Sequence, residues 1–275
     1  MRISARVSLA VVIALAGVTS VAHAVTVSPT ALYLSARNPS ALLTLINTGS
    51  RPEEIEITFG FGYPTSDSTG SLQVRITDSA AAGEPSAAAW LRAFPRRLVL
   101  QPGQRQVVRV TVVAPAGLAE GEYWGRVLVK SRGGEPPVEQ TQGNVRMQLT
   151  LETTFATAVF FHKGEVKTGI AIPSATAQRA GDCVQFTVDL HREGNAVFLG
   201  RVRAELYDAS GRKLAEAEDV VAVYRQIRRR FLLRGEAPLP DGPLTVRYVA
   251  DTERPDLPAT GPVRSAQVSG SVSVR

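Results

Sequence analysis

The sequence is poor in reactive side chains, with a single cysteine and three histidines among 275 residues. One cysteine excludes an intrachain disulfide framework and any multi-cysteine zinc or iron–sulfur site. So few histidines leave little material for metal or acid–base chemistry. There is no Gly-x-Ser-x-Gly nucleophile elbow, no glycine-rich phosphate loop and no zinc-ligand spacing. The longest apolar run, Val7 to Val18, falls short of the ~20 residues that span a bilayer, so no integral membrane segment is expected. No cofactor or metal is expected, nor is enzymatic activity. Hydrophobic residues, at 44% against 20% charged, are plentiful enough for real cores, which excludes wholesale disorder and fibrous classes. The length suits two domains of ~100–150 residues.

The few candidate catalytic groups sit in bland contexts. Asp189, His191 and Glu193 alternate, so on a strand they point the same way, spaced ~6.5–7 Å along it, as on a solvated polar face. His162 stands beside Lys163 in a polar linker. Glu53-Glu54 and the Glu216/Glu218 pair lie in surface-like stretches with no acid–base pattern. Cys183 opens an apolar strand, the setting of a buried structural thiol.

Residues 1–24 read as a secretory signal. Arg2 and Arg6 form a basic start, the apolar run follows, and Ala22-His23-Ala24 gives a small-x-small cleavage site, so the chain is expected to be exported and its mature form to begin at Val25. Export makes nucleic acid an unsuitable partner for the net charge of +6. The densest basic stretch, Arg225, Arg228, Arg229, Arg230 and Arg234, is interleaved with Val221, Val223, Ile227, Phe231 and Leu233. That period of two predicts one strand, Val220–Leu233, with a solvated basic face.

The rest of the chain has strand patterns and no convincing amphipathic helix. Candidate strands are Val25–Leu34, Ala41–Asn47, Glu54–Phe61, Ser71–Thr77, Arg97–Leu100, Gln104–Val113, Glu122–Lys130 and Val145–Phe161, divided by turns such as Asn47-Thr48-Gly49 and Gln101-Pro102-Gly103. A second series runs through Glu165–Ile172, Val184–His191, Ala196–Tyr207, Val220–Leu233, Leu244–Val249 and Val263–Val274. Short strands at this spacing predict an all-β chain of two immunoglobulin-like β-sandwich domains in tandem, residues 25–161 and 165–275, with a hinge at His162-Lys163-Gly164.

The run from Val145 to Phe161 alternates for about three times the length of a typical strand. A sandwich needs only part of it. The surplus either connects the domains or offers an exposed edge with a row of apolar side chains, and pairing by strand addition is the common use of such an edge. The preceding Ser131–Gly143, rich in Gly, Pro, Gln and Glu, is expected to be a mobile loop.

The stretch from Trp90 to Gly103, with Pro95, Leu100, Pro102 and Gly103, followed by Val108-Arg109-Val110, resembles the signature of periplasmic pilus chaperones of the PapD type. Val27-Ser28-Pro29, Asn47-Thr48-Gly49 and Glu122-Tyr123-Trp124 fit the same family in the same order, over residues 25 to about 161. The resemblance implies a donor strand with Val145, Met147, Leu149 and Leu151 as subunit-binding residues, pilus-like subunit proteins and an outer-membrane usher as partners, and a monomer or self-capped dimer. It also implies two basic residues anchoring the subunit's terminal carboxylate, but the matching positions here are Ala31 and Ala156. Arg37, Arg146 and Lys163 are the candidate substitutes. The competing expectation is a structural or accessory surface protein with the same fold and no chaperone role, which the missing pair favours.

Overall fold

The computed structural model describes residues 25–133, 138–142, 145–149 and 152–275; the expected signal segment and Leu151 lie outside the described residues. The first part of the chain forms β1 (Val25–Ser28), β2 (Ala31–Ser35), β3 (Ser40–Asn47), β4 (Glu53–Gly60), β5 (Pro64–Ser66), β6 (Leu72–Val74), β7 (Leu91–Phe94), β8 (Arg97–Leu100), β9 (Arg105–Val112), β10 (Gly121–Arg132), β11 (Val138–Gln142), β12 (Val145–Leu149) and β13 (Glu152–Lys163). The second part forms β14 (Thr168–Ala180), β15 (Cys183–Gly194), β16 (Phe198–Asp208), β17 (Lys213–Val223), β18 (Gln226–Arg234), β19 (Leu244–Asp251) and β20 (Val268–Ser273). One 3-10 turn, Ala88–Trp90, is the only helical element among the described residues. No described helix is long and apolar enough to cross a membrane.

The chain is two β-sandwiches. In the first, a sheet ordered β1-β3-β9-β7 faces one ordered β2-β13-β10-β4-β8; in the second, β14-β15-β18 faces β17-β16-β19-β20. The inward positions of the first are Leu43, Leu45, Ile57, Leu91, Val108, Val110, Val127 and Val159 among others, and those of the second include Phe186, Phe198, Leu206 and Val246. Each such side chain removed from water contributes ~1.5–3 kcal/mol, which lets the cores form without covalent staples. Cys183, the one thiol, is buried at the start of β15 and donates to the Ala180 carbonyl at 3.2 Å, as its apolar setting predicts.

The turn residues quoted from the sequence do structural work. Asn47 is fully buried, and its Nδ2 donates to the carbonyls of Arg51 (2.7 Å) and Leu100 (2.9 Å) while its Oδ1 accepts from Gly49 N (2.8 Å). Its backbone exchanges bonds with Gln104 and Gly103, so one amide pins two turns together.

Several expectations need correction. Val25–Leu34 is not one strand. Pro29 has no N–H to continue the β1–β3 ladder, so the chain crosses there to the other sheet as β2, which runs parallel to β13. Val220–Leu233 is likewise two strands, broken at Tyr224-Arg225, where the chain leaves the end of β17 and returns in the opposite sheet as β18. The expected mobile loop Ser131–Gly143 contains the end of β10 and all of β11, which pairs with β12 in register Val138↔Leu149 to Gln142↔Val145. Composition rich in Glu and Gln lowers strand propensity, but a facing strand supplies the backbone partners that decide the outcome.

Candidate functional site: an open strand edge and a buried joint

β10 and β13 pair from Gly121↔Lys163 to Arg132↔Glu152, and the β11–β12 hairpin lies between them in the chain, beyond the Arg132–Glu152 end of that long antiparallel pair. On the far side of β13, β2 covers only Ala158 to His162. Among the described residues, Glu152 to Thr157 have no strand on that side. The gap follows from the crossing at Pro29: had β2 started earlier, it would have filled the edge.

The parity of the backbone is fixed by one bond. Ala158 N donates to Thr30 O on the β2 side. Alternate residues of a strand send their N–H and C=O the same way, so Thr154 and Ala156 present theirs to the open side. Thr153, Phe155 and Thr157 turn theirs toward β10. Phe155 is partly buried against the first core, and Thr157 is buried.

The sequence-predicted residues fall as follows. Val145, Met147 and Leu149 lie in β12, whose one edge is taken by β11 and whose other edge meets no described strand. Ala31 is buried in β2 opposite Ala158, and Ala156 is exposed on β13. Arg37 is exposed in the turn after β2, Lys163 ends β13 opposite Gly121, and Arg146 sits in β12. Ser35 pairs with His162, so Arg37 and Lys163 lie at one end of β13, whereas Glu152, at the end that follows β12 and Arg146, is ~37 Å along the strand at ~3.4 Å per residue, and the three cations do not all converge on one place.

The sequence reading missed the joint between the sandwiches. Glu122, near the start of β10, is only 5% exposed. Its Oε1 accepts from Trp124 Nε1 and from Val197 N of the second sandwich, both at 2.9 Å, and its Oε2 lies 2.7 Å from His162 Nε2. Its own N–H donates to Asn195 O at 3.0 Å. His162 is thus no free linker residue: it is the third partner of a buried carboxylate. Around it Ala31, Phe61, Trp124 and Phe160 of the first sandwich pack with Val197, Leu199 and Tyr224 of the second.

Tyr224 stands at the centre. Its ring stacks on Tyr63 at 5.2 Å and meets Trp124 edge-on at 4.9 Å, and Arg126 donates to its hydroxyl at 3.0 Å. Burial pushes its phenol up to about 12, against the opposing pull of the Arg126 charge. Burial also raises the Tyr33 phenol and lowers the Arg192 guanidinium, which lies over Trp124.

A second strap reinforces the joint and corrects the reading of the basic run as a solvated face. The β5–β6 hairpin reaches from the first sandwich onto β18. Arg228 N donates to Ser66 Oγ at 2.6 Å, and its guanidinium forks onto Asp189, whose carboxyl is held below the usual range by that hydrogen bond. Arg229 pairs with Asp219 and reaches Gly70 O, and Arg225 pairs with Glu84 at 2.9 Å. Gly70, at φ +83°, lies so close that a Cβ there would be 3.1 Å from Arg230 N. Asp189 and His191 therefore line a polar cleft of about 430 Å³ between the sandwiches.

No family model matches the sequence, and no curated protein matches it. Solved structures do. The SafB chaperone in complex with the SafA pilin of Salmonella enterica is 13% identical, with 91% of this chain and 97% of that chain covered and a TM-score of 0.42. The E. coli chaperone DraB is 15% identical, at 90% and 96% coverage and a TM-score of 0.40. The CsuC–CsuE chaperone–tip adhesion subunit complex from the archaic chaperone-usher Csu pili of Acinetobacter baumannii gives 11%, 91%, 98% and 0.42. The solved structures named here, which this chain resembles at low identity and over about nine-tenths of its length, are a chaperone bound to a pilin, a chaperone alone and a chaperone bound to a pilus tip adhesion subunit.

Proposed function

We propose that the chain is a periplasmic chaperone-like protein that binds a pilus-like or other secreted subunit lacking a strand, by strand addition along β12 and the open side of β13. The observation that supports this reading is the edge from Glu152 to Thr157, which no described strand pairs because β2 begins only at Ala31, opposite Ala158. An unpaired edge beside an apolar core is an aggregation hazard unless a partner takes it. Main-chain hydrogen bonds along it would give sequence-tolerant affinity. The alternate apolar residues Val145, Met147, Leu149 and Leu151 would each add ~1.5–3 kcal/mol when removed from water.

Terminal carboxylate anchoring by a basic pair has no support at Ala31 and Ala156, so the affinity would come from the edge itself. An outer-membrane usher would be the downstream partner. Co-expression with a candidate subunit is expected to give a soluble 1:1 complex. Leu149→Asp is expected to abolish it while leaving the thermal midpoint of the free protein unchanged; complex formation undiminished by this variant would overturn the assignment.

A further inference from the structure

Three of the four sheets neutralise their outer faces with their own ion pairs. On β4, β8, β10 and β13, Arg97 meets Glu56 at 2.6 Å and Lys130 meets Glu152 at 3.8 Å. On the second sandwich, Arg201 meets Asp251 at 3.0 Å, Arg203 meets Glu218 at 2.9 Å, and Arg228 meets Asp189 at 2.6 Å. The sheet β1-β3-β9-β7 does the opposite. Its four strands contain no Asp or Glu at all.

Its outer face carries Arg92, Arg105 and Arg109 with Leu42, Val107 and Phe94. The register places Leu42 and Phe94 on either side of Arg109 in one cross-strand row, with side chains ~4.5–5.5 Å apart at Cβ. Phe94 is 80% exposed, Leu42 56% and Val107 39%. Arg92 donates to the carbonyls of Ala89 and Leu91, while Arg105 and Arg109 have no partner among the described residues.

We propose that this face is a docking surface for an acidic polypeptide segment that also carries apolar side chains. The charge argument is direct: cations without carboxylates need an anionic complement, and a carboxylate gains charge-assisted hydrogen bonds from a guanidinium. The flanking apolar side chains exclude water from that pair, which strengthens it. Arg and aromatic residues are also the types that concentrate at protein interfaces. A partner offering carboxylates and apolar groups in neighbouring positions fits these rows. This surface is on the opposite sheet from β13, and the proposal does not rest on the strand-addition reading.

The test uses the full mature chain and a random Glu–Tyr copolymer as probe, with polyglutamate and phosphatidylglycerol vesicles alongside. The chain is expected to bind the copolymer more tightly than polyglutamate, and less tightly as salt rises. The double variant Arg105→Ser, Arg109→Ser and the single variant Leu42→Ser are each expected to weaken binding by ~tenfold or more, whereas Arg97→Ser on the other sheet leaves it unchanged. All four positions are exposed, and unchanged circular dichroism checks that each variant is folded. The proposal fails if the copolymer does not bind, if the double variant binds it as well as the parent does, or if only the vesicles are retained with the same arginine dependence.

Discussion

Glu122 is the side chain on which most of the joint depends. A buried carboxylate is costly unless its oxygens are filled, and here one oxygen takes two N–H donors while the other meets His162. Removing it leaves Trp124 Nε1 and Val197 N without their buried acceptor, at ~1–3 kcal/mol for each unsatisfied group. Glu122→Ala is therefore expected to lower the unfolding free energy by about 3 kcal/mol, measured by denaturant titration. A loss under ~0.5 kcal/mol, the scale of an ordinary surface substitution, would show that the joint does not depend on it. Nothing in the sequence around Glu122 marked this role, because its partners come from Val197 and His162, far away along the chain.

At the scale of elements, the parity of β13 makes a sharp prediction. Thr154 turns its N–H to the open edge, so Thr154→Pro removes a donor that no described strand uses, at an expected cost below ~1 kcal/mol or about 2–4 °C in Tm. Phe155→Pro removes a ladder bond to β10 and leaves its acceptor unpaired, at an expected cost of ~1–3 kcal/mol. With a bound subunit the order reverses in interest: Thr154→Pro is expected to weaken the complex although the free protein is intact. Pull-down of the subunit beside thermal melts separates the two effects, and equal melting losses for both variants would show the parity to be wrong.

The same strand shows how much the sequence revealed. Alternation located the longer strands of the first sandwich, Arg97–Leu100 to the residue, but merged β1 with β2 and β12 with β13. The all-β tandem sandwich was legible because each sheet buries one face, which writes a period of two into the chain. What was illegible involves backbone partners or two-sided burial. The short strands β5, β7 and β11 were not found, since a three- to five-residue run carries too little pattern. The end of the Val145–Phe161 run, Ala158-Val159-Phe160-Phe161, is apolar at even as well as odd positions, and this was the available signal for the joint: Val159 and Phe161 face the first core while Ala158 and Phe160 face the second sandwich. Of the docking edge, the sequence indicated an excess of strand. It could not indicate where β2 begins beside β13.

At the scale of the molecule, the two sandwiches share a core through Trp124, Phe160, Val197 and Tyr224, and a strap through Ser66, Gly70 and Arg228. They are expected to unfold together. Tyr224→Ala opens a cavity where the rings of both sandwiches meet, at ~3–5 kcal/mol by the usual cost of deleting a buried aromatic. In calorimetry the parent is expected to show one transition and the variant two, as the sandwiches lose their coupling. One transition of unchanged shape in the variant would place the coupling elsewhere. A rigid joint also bears on the proposed role, because the open edge from Glu152 to Thr157 is a better template when the two bodies at the far end of β13 do not move against each other.

The burial of Cys183 has a practical consequence. As the one thiol in the chain, shielded at the beginning of β15 and bonded to the Ala180 carbonyl, it is a built-in clock for the second sandwich. Any thiol reagent must wait for that corner to open, and no other sulfhydryl competes for it. The rate of its modification reads the breathing of one half of the molecule directly, without a mutation or a dye attached beforehand.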